Sequence, residues 1–163
     1  VLLFSQGMYS KQLTRDQALQ KTKHFCAYQE RCHSEVKDKL YGFGLRKVEV
    51  EELLSVLIDE DYLNEQRFAI QFAGGKFRMK QWGRVKIRYE LRQKQVSDYC
   101  IRKALAAIDE GDYLHTLQRL YDDKKATLRS VNNIFIRKRK LQDYLLQKGY
   151  ESELISQLLR NEN

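Results

Sequence analysis

The chain repeats itself. Asp61-Tyr62-Leu63 recurs as Asp112-Tyr113-Leu114, 51 residues further on, and the apolar positions around both copies fall on one template. Val36 and Leu40, Ile87 and Leu91, and Leu141 and Leu145 form three pairs at i, i+4. Ten residues beyond the second member of each pair stand Val50, Ile101 and Ile155. Leu53-Leu54, Ala104-Leu105 and Leu158-Leu159 follow at thirteen and fourteen. An i, i+3, i+4 spacing marks one face of an amphipathic helix. Three copies of one unit, each with an apolar face it cannot bury alone, specify a stacked array. Such an array offers a long surface to another macromolecule rather than a catalytic pocket.

The expected fold is therefore all-α: a tandem array of three three-helix repeats, elongated and curved, at residues 14–63, 64–114 and 115–163, behind a loosely held arm at 1–13. A length of 163 residues suits a single domain with a real core. The chain has no proline, where average usage would give roughly eight. Proline breaks helix interiors, so its absence suits a chain helical almost throughout.

Local signals place the helices. Thr14 followed by Gln17 is a capping-box pattern that opens a helix running to about Arg31. Ser34 can cap a second that stops near Gly42-Phe43-Gly44, and a third spans 48–60. The second repeat gives helices at 64–79, 84–94 and 98–109, the last capped by Ser97. The third gives 114–128, then 133–148 with Gly149 as its stop, then 152–160 capped by Ser152. Val85, Ile87, Tyr89 and Leu91 alternate with polar residues, which taken alone is a strand pattern. Their offsets match Val36/Leu40 and Leu141/Leu145, where no alternation exists, so a helix is expected there too.

Charge is segregated along the chain. From Val48 to Glu65 stand seven acids and no Lys or Arg. From Lys76 to Lys94 come Lys76, Arg78, Lys80, Arg84, Lys86, Arg88, Arg92 and Lys94 against Glu90 alone. From Lys124 to Lys140 come Lys124, Lys125, Arg129, Arg137, Lys138, Arg139 and Lys140 with no acid after Lys124. Blocks of one sign are commonly solvated faces, yet two basic blocks in corresponding regions of successive repeats, with a net charge of +8, suit a phosphate-lined or acidic partner. Phe77, Trp82 and Tyr89 interleave the first block and could stack on bases, although aromatics at helical spacing are commonly core.

No catalytic constellation emerges. His24, Cys26, Cys32 and His33 crowd one region, but at about 100° per residue positions 24 and 26 lie on opposite sides of a helix and cannot converge on a metal. Cys26 beside Phe25 reads as a small core residue. Ala73-Gly74-Gly75-Lys76 fails as a phosphate-binding loop, with Ile70 at the first glycine position and Phe77 where Ser or Thr is needed. Asp59-Glu60-Asp61 has no further ligand placed to join it, and no nucleophile–base pair is visible. No enzyme and no cofactor are expected. Three cysteines without a paired spacing, and no apolar run approaching the ~20 residues of a membrane span, point to a soluble protein of a reducing cytoplasm.

Tyr62-Leu63-Asn64-Glu65-Gln66-Arg67-Phe68-Ala69 resembles the Tyr-[LI]-[DN]-[DE]-x-Arg-[FY]-Ala signature of the RecX family, regulators of the RecA recombinase. Gly83, Ile87, Glu90, Leu91, Lys94, Val96, Ile101, Ala104 and Leu105 match a second family motif in order and spacing. Ser34-Glu35-Val36 with Lys39-Leu40 resembles its first-repeat element, and Lys148-Gly149-Tyr150 its third-repeat one, so the likeness covers about residues 18–160. Two departures stand out. Gln95 occupies the family's usual glycine position after Lys94, so a different turn between those helices is expected, and Val36 replaces a commoner leucine, a conservative change.

The resemblance implies tandem three-helix repeats, no catalysis, and binding to RecA filaments on single-stranded DNA, with loss of recombinase, ATPase and co-protease activity and an effect on recombinational repair and the SOS response. The expected contact residues, taken from the two basic blocks, are Arg78, Lys80, Arg84, Lys86, Arg88, Arg92 and Lys94, then Arg129, Arg137, Lys138, Arg139 and Lys140. A monomer is expected, with duplex DNA a possible further partner and no membrane. The alternative is a stand-alone DNA-binding protein of helix-turn-helix type, since a three-helix unit with a basic second or third helix fits that geometry.

Overall fold

In the computed structural model the described residues are 12–162. Most of the expected arm, residues 1–11, lies outside them. Among the described residues the chain forms nine helices and no strand: α1 (Arg15–Tyr28), α2 (His33–Gly42), α3 (Lys47–Asp59), α4 (Glu65–Lys80), α5 (Arg84–Gln93), α6 (Asp98–Ala106), α7 (Glu110–Thr127), α8 (Ile134–Lys148) and α9 (Ser152–Arg160). They fall into two compact units, one ending at Phe68 and one beginning at Ala69.

The template residues do what their spacing requires. Leu40, Leu91 and Leu145 are fully buried, and so are Val36, Ile87 and Leu141 and, on the following helix of each repeat, Val50, Ile101 and Ile155. The segment around Tyr89 is helical, with Ile87 and Leu91 inside and Val85 and Tyr89 exposed. In the first unit Leu40, Val50, Leu53, Leu57 and Leu63 form one core with Ala18 and Cys26, onto which Leu13, Phe25 and Tyr62 pack. Leu13, expected within the loose arm, is instead tied down by its N–H donating to Phe43 O at 3.1 Å.

Several boundaries differ from the expectation, each for a local reason. The Thr14–Gln17 capping box is present, but α1 stops at Tyr28 because Gln29 is extended. Cys32 rather than Ser34 caps α2, its N–H held by Glu35 at 3.2 Å. Glu151 rather than Ser152 precedes α9. The first helix of the third repeat starts at Glu110, not near Leu114, because the Asp109 carboxylate accepts from the Asp112 N–H at 2.9 Å and opens the helix early. The tripeptide Asp-Tyr-Leu therefore has two unrelated settings. Asp61 sits in a left-handed turn after α3 with Leu63 buried, whereas Asp112 lies within α7 and Leu114 is exposed. The repeat is real in its apolar template; the tripeptide is not its marker.

The second helix of each repeat ends in the same way. Four residues after Leu40, Leu91 and Leu145 stand Gly44, Gln95 and Gly149, with φ of 86°, 60° and 96°. The next residues, Leu45, Val96 and Tyr150, fold back into the core. Val96 and Tyr150 donate to Leu91 O and Leu145 O at 3.1 and 3.2 Å, the pattern of a helix closed by one left-handed residue. Gln95 thus keeps the turn that glycine makes elsewhere, at a steric cost that glycine avoids. Replacing Gln95 by glycine is expected to raise stability by about 0.5–1 kcal/mol, seen as a higher urea midpoint at unchanged slope.

In the second unit α9 is latched at its end. Glu162 is buried, accepts from the Tyr121 hydroxyl and pairs with Lys125 Nζ at 2.5 Å. Burial alone would raise the Glu162 carboxyl, but Lys125 and Tyr121 outweigh it and hold the group below its ordinary 4.5. A lowered carboxyl adds stability that is full above the unfolded-state value and is lost as pH falls through the folded one. Glu162→Gln should therefore melt below the wild type at pH 7, and the two curves should converge as the pH is taken well below 4.5.

Candidate nucleic-acid interface

The signature segment is occupied by structural duties. The Asn64 side chain accepts from the Arg67 N–H at 2.9 Å, which caps α4. Arg67 reaches Glu30, just past the end of α1, at 2.5 Å, and both the side chain and the carbonyl of Asp61 at 3.0 Å. The bond to Glu30, with that to Asp61, raises its already high pKa despite the desolvation that opposes it. Phe68 and Ala69 are buried. The acids of the 48–65 stretch are likewise spoken for in part: Glu52 pairs with Arg15, Glu60 with Lys23, and Glu49 holds the Arg46 N–H.

The first basic block divides into three environments. Arg84 is a junction residue. Its guanidinium lies 3.8 Å from the centre of the Tyr113 ring and pairs with Glu110 and, at 3.3 Å, with Glu151. Its own N–H donates to Tyr113 Oη at 3.1 Å, and that hydroxyl donates to Glu151 at 2.5 Å. Burial opposes the charge on Arg84, and Glu110 and Glu151 more than offset it, so its pKa is raised; burial and the Glu151 bond drive the Tyr113 phenol far up. Around this knot, the Gly83 and Val85 N–H groups at the start of α5 donate to Lys148 O and Gly149 O at the end of α8, both at 2.9 Å. Tyr150 Oη donates to Gln81 O at 3.0 Å, and the Phe77, Tyr113 and Tyr150 rings lie 5.8 and 5.1 Å apart in succession. Arg84, expected on the contact face, is spent on joining α5 to α7 and α9.

The second environment is an aromatic cradle. Lys86 Nζ stands 4.6 Å and Lys76 Nζ 5.1 Å from the centre of the Trp82 ring, while Lys76 and Lys94 stand 5.4 and 5.7 Å from that of Phe72. Both rings are half-buried. The third is open. Val85, Arg88, Tyr89 and Arg92 form an exposed stripe along α5 at i, i+3, i+4 and i+7. Arg92 meets Asp98 at 3.4 Å with both side chains more than half exposed, a pairing too solvated to hold it. Arg78 and Lys80 are exposed in the last turn of α4 beside Met79, and the Lys80 carbonyl accepts from Lys148 Nζ at 3.4 Å.

The second block is split as well. Arg137 folds back onto Val131 O at 3.0 and 3.3 Å and braces the loop before α8. Arg129, Arg139 and Lys140 are exposed and Lys138 is half-buried. Phe135 and Ile136, in the first turn of α8, face solvent at 81% and 49% exposure. Lys76, although within the first basic block, was not among the expected contacts. Its signal was present in the i, i+4 spacing from Phe72, which sets an ammonium over a ring on one helix face. Gly74 and Gly75 lie inside α4, so no phosphate-binding loop forms there. Cys26 and Cys32 are buried, burial pushing the Cys26 thiol up to about 11, while His24 is exposed on the other side of α1. None of the described helices is long and apolar enough to cross a membrane.

Comparison with known proteins agrees with this architecture. Family models described as the second and third three-helix domains of RecX match residues 64–105 and 111–159. The chain is 33% identical over 132 residues to the regulatory protein RecX of Pelodictyon phaeoclathratiforme, covering 80% of each. It is 29% identical over 147 residues to that of Prosthecochloris aestuarii, covering 87% of this chain and 91% of the relative. Against the longer RecX of Bacillus cytotoxicus it is 25% identical and spans 48% of that protein. The crystal structure of RecX from Lactobacillus salivarius superposes with a TM-score of 0.81 over 90% of this chain and 94% of the other, at 22% identity, a likeness of fold. An all-α repeat fold, three buried leucines at equivalent positions and these matches together place the chain in the RecX family of regulatory proteins.

Proposed function

We propose that this protein is a non-catalytic regulator of the RecA recombinase, a cytoplasmic monomer that lodges on the RecA–single-stranded DNA filament. There it inhibits strand exchange, ATP hydrolysis and co-protease activity, and so tempers recombinational repair and the SOS response. The observation that carries this is the open stripe on α5, where Arg88 and Arg92 flank Val85 and Tyr89 in a chain of this family. A filament surface is made of DNA phosphate and protein, and a stripe that mixes guanidinium with apolar and aromatic side chains gains from both. Arg78, Lys80, Arg129, Arg139 and Lys140 are exposed and extend the candidate contacts, whereas Arg84 and Arg137 serve the fold.

The test is a variant with Arg88→Ala and Arg92→Ala together. Both side chains are exposed, so melting should change little. Inhibition of RecA strand exchange should fall by tenfold or more (roughly the loss of 1.4 kcal/mol of binding), and the salt slope of filament binding should drop by about one for each lost phosphate contact. Undiminished inhibition would move the contact to Arg139 and Lys140. A second reading is favoured by the same stripe, because α5 is the basic second helix of a three-helix unit. On that reading the wild type binds bare duplex tightly and is indifferent to RecA.

A further inference from the structure

We propose that Trp82 is a stacking platform for an unpaired nucleic-acid base, with Lys76 and Lys86 as the ammoniums that take the flanking phosphates. This deepens the reading above, on which it rests, by naming the part of the filament that one site would grip. α4 supplies Phe72 and Lys76, the loop before α5 supplies Trp82, and α5 supplies Lys86, so the cradle exists only once the second unit is folded. Both ammoniums stand within about 5 Å of the centre of the indole ring, at 5.1 and 4.6 Å. Each thus covers a half-buried aromatic surface rather than a carboxylate. Lys76, Lys86 and the ring are all half-buried, and base stacking on an aromatic ring is comparable in strength to such a cation–aromatic contact. When a flexible polyanion arrives, the lysines can swing onto its phosphates and leave the ring to a base, so each cation–aromatic contact given up is replaced by a phosphate pair and a stacked base.

The chemistry selects single-stranded nucleic acid over other polyanions. An acidic peptide would satisfy the lysines and leave the ring bare, and a duplex keeps its bases inside its own stack. The same device recurs in the other two repeats. Lys39 of α2 stands 5.1 Å from the centre of the Phe25 ring of α1, and Lys124 of α7 stands 5.1 Å from that of Tyr144 of α8. In each repeat a cation and a ring meet between the first and second helices. A partner with an anion and a flat apolar group in every unit is what such a recurrence fits.

Trp82 is the one tryptophan of the chain, so its fluorescence reports this site alone. The full chain, without RecA, is titrated with an oligothymidylate, an abasic strand of the same length, a duplex of that length and polyglutamate. The oligothymidylate should quench Trp82 saturably and bind roughly tenfold more tightly than the abasic strand, with little quenching by duplex or polyglutamate. Trp82→Ala, read by anisotropy of a labelled strand, should lose roughly that tenfold, while Trp82→Phe keeps most of it. Lys76→Gln and Lys86→Gln should each lower the salt slope by about 0.7. Equal binding and quenching by the abasic strand, or Trp82→Ala that melts like the wild type and binds thymidylate equally well, would overturn the stacking platform. If Trp82→Ala fails to fold, Trp82→Phe against the abasic control decides. Failure here with strand-exchange inhibition intact in Trp82→Phe leaves the RecA reading standing and removes only this site.

Discussion

Gly83→Ala should lower the stability of the unit that begins at Ala69 by about 3–5 kcal/mol. A Cβ at this position would lie 2.2 Å from Gly149 O, 2.4 Å from its carbonyl carbon and 2.5 Å from Tyr150 N. All three are backbone atoms at the end of α8, so no side chain can rotate away. The two helix ends must separate, and separation breaks the Gly83 and Val85 donations to Lys148 O and Gly149 O. Overpacking costs about 1–3 kcal/mol, and each lost bond about 0.5–1.5 kcal/mol. The control is Gly42→Ala, where a Cβ meets nothing within 4 Å and helix propensity should make the change neutral or favourable. Thermal melting of the two variants should diverge by more than about 10 °C. Superimposable melts would mean that α5 and α8 do not abut in solution.

Leu91→Ala should cost about 2–5 kcal/mol, the loss of a buried side chain plus the cavity it leaves. Leu91 has no exposed surface, and neither do Leu40 and Leu145 at the equivalent places, so the three alanine variants should fall in one range. Tyr89→Ala supplies the contrast. On a helix, residues 89 and 91 are about 200° apart, whereas on a strand they share a face. Tyr89 is 60% exposed, so its alanine variant should stay within about 0.5 kcal/mol of the wild type. Two variants with equal losses would restore the strand pattern that the alternation of Val85, Ile87, Tyr89 and Leu91 suggests. The measurement is equilibrium urea unfolding of each single variant.

Helices and core positions were legible because periodicity is local. A residue's place on a 3.6-residue turn is fixed by its neighbours in sequence, and comparison between repeats removed the ambiguity at Tyr89. Helix starts were harder to read. Asp109 rather than a residue near Leu114 opens α7, and Cys32 rather than Ser34 precedes α2, because several polar residues stand close enough to serve and small energies choose among them. The Asp-Tyr-Leu tripeptide misled for a related reason. Identity over three residues carries no information about backbone setting, and Asp61 is left-handed where Asp112 is helical.

By itself the sequence determined an all-helical repeat, the equivalence of Leu40, Leu91 and Leu145, and the glycine stops near Gly44 and at Gly149; that Gln95 keeps the same left-handed stop was decided by the tertiary structure. Only the tertiary structure decided what each cation does. Arg84, Lys86 and Arg88 are alike in sequence and lie within five residues, yet one is locked between Glu110 and Glu151, one lies over Trp82 and one faces water. A charge carries no sign of which distant group it will meet. Glu151 is 67 residues from Arg84, and Gly149 is as remote from Gly83, so those partnerships come into being only when α8 packs against α5.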